Sequence, residues 1–223
     1  MIIAKFIMVA ALGYILGSIP FGLIVSKLQA KVDIRDYGSG HTGGTNVLRT
    51  LGRKAFVMVA AGDVLKATTA VLLAGVIMGH SNLALAHLDL GALAARSLAG
   101  LCAILGHIFP LFAKFKGGRG VATFIGGLAA ICPVAALFGG EILIIGTGLS
   151  GFASLGSITG VVSAYAIMIP LTIIYGVPVE YLVYVLVGAL IIVIAHRDNI
   201  KRLLSGKERK LNQKAAARSG SPA

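Results

Sequence analysis

AFVMVAAGDVLKATTAVLLAGVIMG, residues 55–79, is an apolar run interrupted by only two ionisable side chains, Asp63 and Lys66. As a helix rising about 1.5 Å per residue, it is long enough to cross a hydrocarbon layer about 30 Å thick. Asp63 and Lys66 stand three apart and therefore share one helix face. An isolated charge at that depth is costly, so such groups turn towards a partner or a polar interior. The pair reads either as a self-neutralised structural element or as the floor of an anion site. The stretch itself leaves both readings open.

The rest of the chain repeats the pattern. Its 223 residues are 57% hydrophobic, more apolar surface than a soluble domain of this size conceals. Further apolar runs cover residues 4–28, 92–112, 121–138, 140–155, 158–176 and 179–195. With Gly139-Gly140-Glu141 and the segment from Ser154 to Ser157 taken as breaks, the pattern predicts an all-α, polytopic integral membrane protein. It has about seven transmembrane helices, or five if the short runs merge. The first run continues to about Leu28 without a small-residue cleavage site and reads as a retained span. Cys102 and Cys132 lie inside apolar runs and read as free, hydrophobic thiols. Residues 1–205 are expected to form one transmembrane domain. Residues 206–223, rich in Lys, Gly, Ala and Ser, are expected to be a disordered basic tail.

Charge sets the orientation. The net charge is +12, and every Lys and Arg except Lys5, Lys66 and Arg96 falls within residues 27–54, 114–119 or 197–218. The gaps around His80, His87 and Asp89, around Glu141, and around Glu180 carry almost none. The excess of positive charge in cytoplasmic loops then predicts an external N-terminus, a cytoplasmic C-terminus and three cytoplasmic basic segments. Basic residues that border a membrane in this way give no reason to expect a nucleic-acid partner. Oligomeric state is not legible.

Two of these segments are built to approach anions. DIRDYGSGHTGGTNVLRTLG (33–52) combines Gly38, Gly40, Gly43 and Gly44 with Ser39, Thr42, Thr45, Asn46 and Arg49. Such a stretch can gather backbone N–H groups into a nest, and a helix opened at Asn46 favours phosphate at its N-terminus. FKGGRGVAT (115–123) lacks the Walker spacing. It nonetheless sets Lys116 and Arg119 around Gly117, Gly118 and Gly120, where no Cβ obstructs the backbone, with Thr123 in the turn that follows. His107, Ser154, Ser157, His196 and Asn199 fall at the same predicted boundary. Segments 33–52, 114–123, 150–157 and 196–202 should therefore converge on one membrane face, with room for two anions. Paired acids, metal-ligand spacing and a nucleophile elbow are missing, so neither a metal nor a cofactor is expected.

The motifs GSIPFGLIVSK (17–27), GSGHTGGTNVLR (38–49), GDVLKA (62–67), GHIFPLFAKFKGGRGVAT (106–123) and HRDNIKRLL (196–204) appear in that order. Together they resemble the bacterial acyl-phosphate:glycerol-3-phosphate acyltransferase family along almost the whole chain. The resemblance implies a multi-pass inner-membrane enzyme that takes acyl phosphate and sn-glycerol 3-phosphate to lysophosphatidate and inorganic phosphate, the first step of phospholipid synthesis. It implies catalytic roles for Ser39, Asn46, Arg49, Ser154 and His196. Substrate contacts are implied for Lys116, Gly117, Gly118, Arg119, Gly120, Thr123 and Asn199, with His107, Asp63 and Lys66 beneath them. His41 stands where the family pattern usually has Asn, Arg119 where it has Lys, Asp198 where it has Glu, and Gly151-Phe152 where a basic residue and Tyr are common. Two other readings fit the charge. A phosphate or organophosphate transporter would use Asp63 and Lys66 in a path to the far side, but the outer ends of the spans are nearly bare of charge. A basic scaffold for anionic lipid would explain the tail alone.

Overall fold

The computed structural model describes residues 2–85 and 88–218; His87 lies outside them. Helix α1 (Ile2–Gly17) stops at Ser18-Ile19-Pro20, because Pro20 supplies no backbone N–H, and the chain restarts as α2 (Phe21–Ala30). A loop with a short 3-10 turn leads into α3 (Gly44–Leu51) and the long α4 (Arg53–Met78). Beyond it lie an antiparallel hairpin, β1 (Leu83–Leu85) with β2 (Leu88–Leu90), then α5 (Ala92–Ile108). The second half comprises α6 (Val121–Ile131), α7 (Pro133–Ser150), α8 (Ala153–Tyr175), α9 (Val179–Ala195) and α10 (Arg197–Leu204). The all-helical expectation thus holds for the described residues apart from turns and this one hairpin.

Among the described residues, five segments are long and apolar enough to cross a bilayer: Ile2–Ala30, Arg53–Met78, Ala92–Ala113, Pro133–Ser150 and Ala153–Tyr175. A sixth results if α9 and α10, bent by 60° at their junction, are taken together. Helix α6 is apolar but shorter, about 16 Å at the usual rise, so length alone does not give seven. The breaks also differ from the sequence reading. Gly139 and Gly140 lie inside α7, and Ser154 and Ser157 inside α8. The chain interrupts instead at Cys132, where Pro133 opens α7, and at Gly151-Phe152, where Gly151 adopts φ 76°. The reason is physical. A break within lipid strands backbone polar groups, so small residues there are spent on packing. A Cβ at Gly139 would lie 2.8 Å from the Ala164 Cβ of α8.

Small residues and one aromatic pair hold the bundle together. Helix α6 presses on α4 so closely that a Cβ on Gly126 would meet Val64 Cα at 2.7 Å. Tyr184 of α9 stacks on Phe124 of α6 at 5.6 Å and donates its hydroxyl to the Phe124 carbonyl at 2.8 Å. Outward, Val76, Leu149 and Ile173 are each at least three-quarters exposed, an apolar surface suited to lipid.

Asp63 and Lys66 are buried inside the bundle. Lys66 Nζ lies 2.7 Å from Asp63 Oδ1. It donates to the Ile19 carbonyl at the α1–α2 break and to His107 Nδ1 of α5, both at 3.0 Å. Asp63 Oδ1 is also 3.3 Å from His107 Nδ1. One ammonium therefore ties α4 to the first break and to the end of α5. We expect Lys66→Met to cost about 3–5 kcal/mol by stranding the Asp63 carboxylate. Restoring much of the midpoint with Asp63→Leu in the same chain would identify stranding as the cause. Gly126→Ala should cost about 1–3 kcal/mol through overpacking. Gly140→Ala, with nothing within 4 Å of its new methyl group, should leave the thermal midpoint in detergent unchanged or slightly raised.

Candidate active site

The first glycine-rich loop is shaped from within. Asp33 caps the 3-10 turn Ile34–Asp36 by accepting from Arg35 N at 2.9 Å and pairs with the Arg35 guanidinium, which holds its carboxyl below the usual range. Asn46, in the first turn of α3, shares its amide hydrogens among the carbonyls of Ile34, Tyr37 and His41, each at 3.0 Å, and accepts from Ser39 N at 3.1 Å. Its polar capacity is spent on the loop that carries Ser39. Asn46, given a catalytic role by the resemblance, makes these bonds within the loop and so positions it.

The second loop is laid against the first. Gly118 N donates to the His107 carbonyl at 3.2 Å, while Thr42 N (3.4 Å) and His41 Nδ1 (3.2 Å) both donate to the Gly117 carbonyl. His41, a departure from the family pattern, thus joins the two loops. A Cβ at Gly118 would lie 3.2 Å from Gly43 Cα and would collide with His107 Nε2. Glycine is required there by the close backbone approach. Gly120 (φ 83°) turns the chain into α6. Lys116 is exposed on the loop. Arg119 points inward, and burial, with Arg202 next, pushes its pKa down to about 10. It stays cationic at neutral pH. Burial likewise lowers the Arg49 guanidinium and, with Arg119, the His41 imidazole.

The third part comes from the last helices. His196, 2% exposed at the α9–α10 bend, donates Nδ1–H to the Ile192 carbonyl at 2.8 Å. A carbonyl only accepts, so this bond leaves Nε2 with its lone pair. Ser154 Oγ and Asn199 Nδ2 donate to one oxygen of Glu208, at 3.0 and 2.7 Å, and Arg202 Nε donates to the other at 2.8 Å. Residues 206–218, expected to be disordered, run across this face. Leu211 N bonds the Gly151 carbonyl, Ala215 N the Arg49 carbonyl and Gly38 N the Ala216 carbonyl. The basic surface supplies partners that tail composition alone does not reveal. A cavity of about 650 Å³ lies between α3, the end of α7 and the tail, lined in part by Arg49, Arg53, Lys210 and Lys214.

The structure brings Ser39, Asn46, Arg49, Lys116, Gly117, Gly118, Arg119, Gly120, Thr123, Ser154, His196 and Asn199 to one end of the bundle. Among the described residues, Arg49 Nε, Arg119 Nε and Thr123 Oγ1 are buried without hydrogen-bond partners. Such groups cost about 1–3 kcal/mol each unless satisfied, and an anion would satisfy them. Asp63, Lys66 and His107 lie beneath the loops, engaged with one another. Their partners in this structure are one another and the Ile19 carbonyl. Sequence reasoning missed Arg202 and Glu208. Arg202 stands three residues after Asn199 on α10, hence on its face, and Glu208 is the one acid in the chain beyond Asp198. Among the described residues no three His, Cys, Asp or Glu side chains are grouped for a metal ion.

Known proteins share this architecture. The family model described as glycerol-3-phosphate acyltransferase matches residues 7–206. A protein of Dehalococcoides mccartyi (strain CBDB1) named glycerol-3-phosphate acyltransferase 3 is 62% identical over 215 residues, covering 96% of this chain and all of that one. A glycerol-3-phosphate acyltransferase of Clostridioides difficile (strain 630) is 40% identical over 212 residues, 95% of this chain and 98% of its own. The crystal structure of PlsY, an integral membrane glycerol 3-phosphate acyltransferase, in its glycerol 3-phosphate form superposes with a TM-score of 0.78 at 36% identity, covering 92% and 94% of the two chains. In sequence along almost its whole length, and in fold, this bacterial-type membrane protein belongs to the glycerol-3-phosphate acyltransferase family.

Proposed function

We propose that the protein transfers a fatty acyl group from acyl phosphate to the 1-hydroxyl of sn-glycerol 3-phosphate, releasing lysophosphatidate and inorganic phosphate. The observation that carries this reading is the convergence of Arg49, Arg119, Ser154, Asn199 and His196 with two glycine-rich loops at one end of an apolar bundle. The solved relative is described in glycerol 3-phosphate and lysophosphatidic acid forms, in keeping with an acceptor and a product of these kinds.

In the reaction, the hydroxyl oxygen attacks the acyl carbonyl carbon. A carbon–oxygen ester bond forms, the bond to the phosphate oxygen breaks, and phosphate leaves with that electron pair. Acyl phosphate is a mixed anhydride with a good leaving group, so alignment and stabilisation of the developing oxyanion suffice without a covalent enzyme intermediate. Lys116, Arg119 and the backbone amides of Gly117, Arg119 and Gly120 hold the acyl phosphate, with Thr123 beside them. Arg49, Ser154 and Asn199 orient glycerol phosphate, while Ser39 and Asn46 shape the loop between the two. The proton passes to His196 Nε2 or to the phosphate of a substrate. The acyl chain stays between the helices and the bilayer, and the polar acceptor comes from water.

In our reading the site faces the cytoplasm of the inner membrane, the N-terminus lies outside and the chain crosses seven times. The parity supports seven. The tail bonds the α7–α8 turn through Leu211 and Gly151, and the charge of Glu208 in the tail acts on Arg119 in the loop before α6, so α6 with α7, and α8 with α9, form two round trips. The short α6 is accommodated because it lies among α4, α5, α7 and α9. Residues 1–205 then form one transmembrane unit, followed by the tail.

Purified protein given palmitoyl phosphate and labelled glycerol 3-phosphate should form lysophosphatidate above the enzyme-free rate; uptake into proteoliposomes without product would instead mark a transporter. Arg49→Ala and Asn199→Ala should each lower kcat at least about a hundredfold with insertion intact. Lys116→Ala should raise the KM for palmitoyl phosphate more than that for glycerol phosphate, and the opposite ranking would reverse the assignment of the two sites. Single cysteines at Ser39 and Lys116 should react with an impermeant thiol reagent from the same side of the membrane.

A further inference from the structure

Glu208 is the anion that the basic site already holds. Its side chain is 4% exposed. Its two oxygens take three hydrogen bonds, from Ser154 Oγ (3.0 Å), Asn199 Nδ2 (2.7 Å) and Arg202 Nε (2.8 Å). The charges of Arg49 and Arg119 also act on it. Two of those three donors belong to the set assigned above to the substrate phosphate. The segment that delivers the carboxylate is strapped down on both sides. Lys207 N bonds the Arg202 carbonyl and Leu211 N the Gly151 carbonyl, both at 2.8 Å, and Arg218 N bonds the Asp36 carbonyl at 2.8 Å. Glu208 also lies beyond residue 206, where the match to the family model ends.

We infer that Glu208 is an internal stand-in for the phosphate of glycerol 3-phosphate, that Arg202 is a third ligand to that phosphate, and that the 206–218 segment must lift for the acceptor to bind. This rests on the acyltransferase reading. A carboxylate and a phosphate monoester offer the same kind of acceptor oxygens to the same donors. The phosphate carries about −1.5 to −2 charges at neutral pH against one for the carboxylate, so the cationic site prefers the substrate once it arrives. A tethered competitor acts at an effective concentration in the millimolar range for a short linker. The tail therefore sets a threshold concentration of acceptor rather than abolishing turnover.

Two variants, Glu208→Gln and a chain ending at Gly206, test this in the palmitoyl phosphate assay. Both should lower the KM for glycerol 3-phosphate at least threefold while changing that for palmitoyl phosphate less. Arg202→Ala should raise the KM for glycerol 3-phosphate. An unchanged or higher KM for the acceptor in both tail variants, or a fall in kcat showing that Glu208 assists the chemistry, overturns the inference. A nitroxide on Asn212→Cys, in a chain with Cys102 and Cys132 replaced by Ala, reads the tail without turnover. Inorganic phosphate at constant ionic strength should mobilise the label, and in the Glu208→Gln background it should be mobile beforehand. A label unmoved by saturating phosphate sinks the tail displacement. A label that moves in a protein that forms no lysophosphatidate leaves the displacement standing and removes the acyltransferase reading instead.

Discussion

The Lys66 ammonium group fixes where everything else stands. Within the bundle it touches the carbonyl at the α1–α2 break, the Asp63 carboxylate on its own helix and the His107 imidazole at the end of α5. The Gly118 amide then bonds to the carbonyl of His107 itself. A charge buried in lipid is tolerated only when partnered, so each partner is held as firmly as the ammonium. The glycine loops are built on this floor, and their geometry is inherited from it.

Above that floor the chain concentrates positive charge that the single carboxylate of Glu208 neutralises only in part. Arg49, Arg119 and Arg202 act on one another closely enough for burial and mutual repulsion to press Arg119 well below an ordinary guanidinium. Like charges crowd together at a cost, which an incoming anion removes. The remaining excess of positive charge is thus preorganised for an incoming anion and for the charge that develops during acyl transfer. Neutral parts refine the position. Asn46 freezes one loop and His41 pins it to the other, so the cations meet their target on a rigid frame.

Much of this was legible from residues alone. The run 55–79 declared a span, and three clusters of Lys and Arg marked the segments that do meet at one end. The site motifs were visible because glycine, serine, asparagine and arginine have few reasons to alternate beside a bilayer. Other features depended on tertiary context. Gly139 and Gly140 look like a break, yet both lie inside α7, and Gly139 is held small by its close packing on α8. Pro133, a stronger interrupter, was passed over because the surrounding run is so apolar. Asn46 offers the same donors to a substrate as to its own loop, and only the fold shows which takes them. Arg202 follows Asn199 by the helical period but reads from sequence only as one of the basic residues within 197–218. Glu208 was lost among cations, although a lone acid in such a segment is where a basic surface would find its partner.

The strap across the site, residues 206–218, follows α10 in the chain, and synthesis is directional. Chains fold from the N-terminus as they emerge, at about 5–20 residues per second. Every helix from α1 to α10 has left the ribosome before Glu208 does. The nascent protein thus has its helices and loops before their cover, and residues 206–218, which emerge later, are what cover the basin.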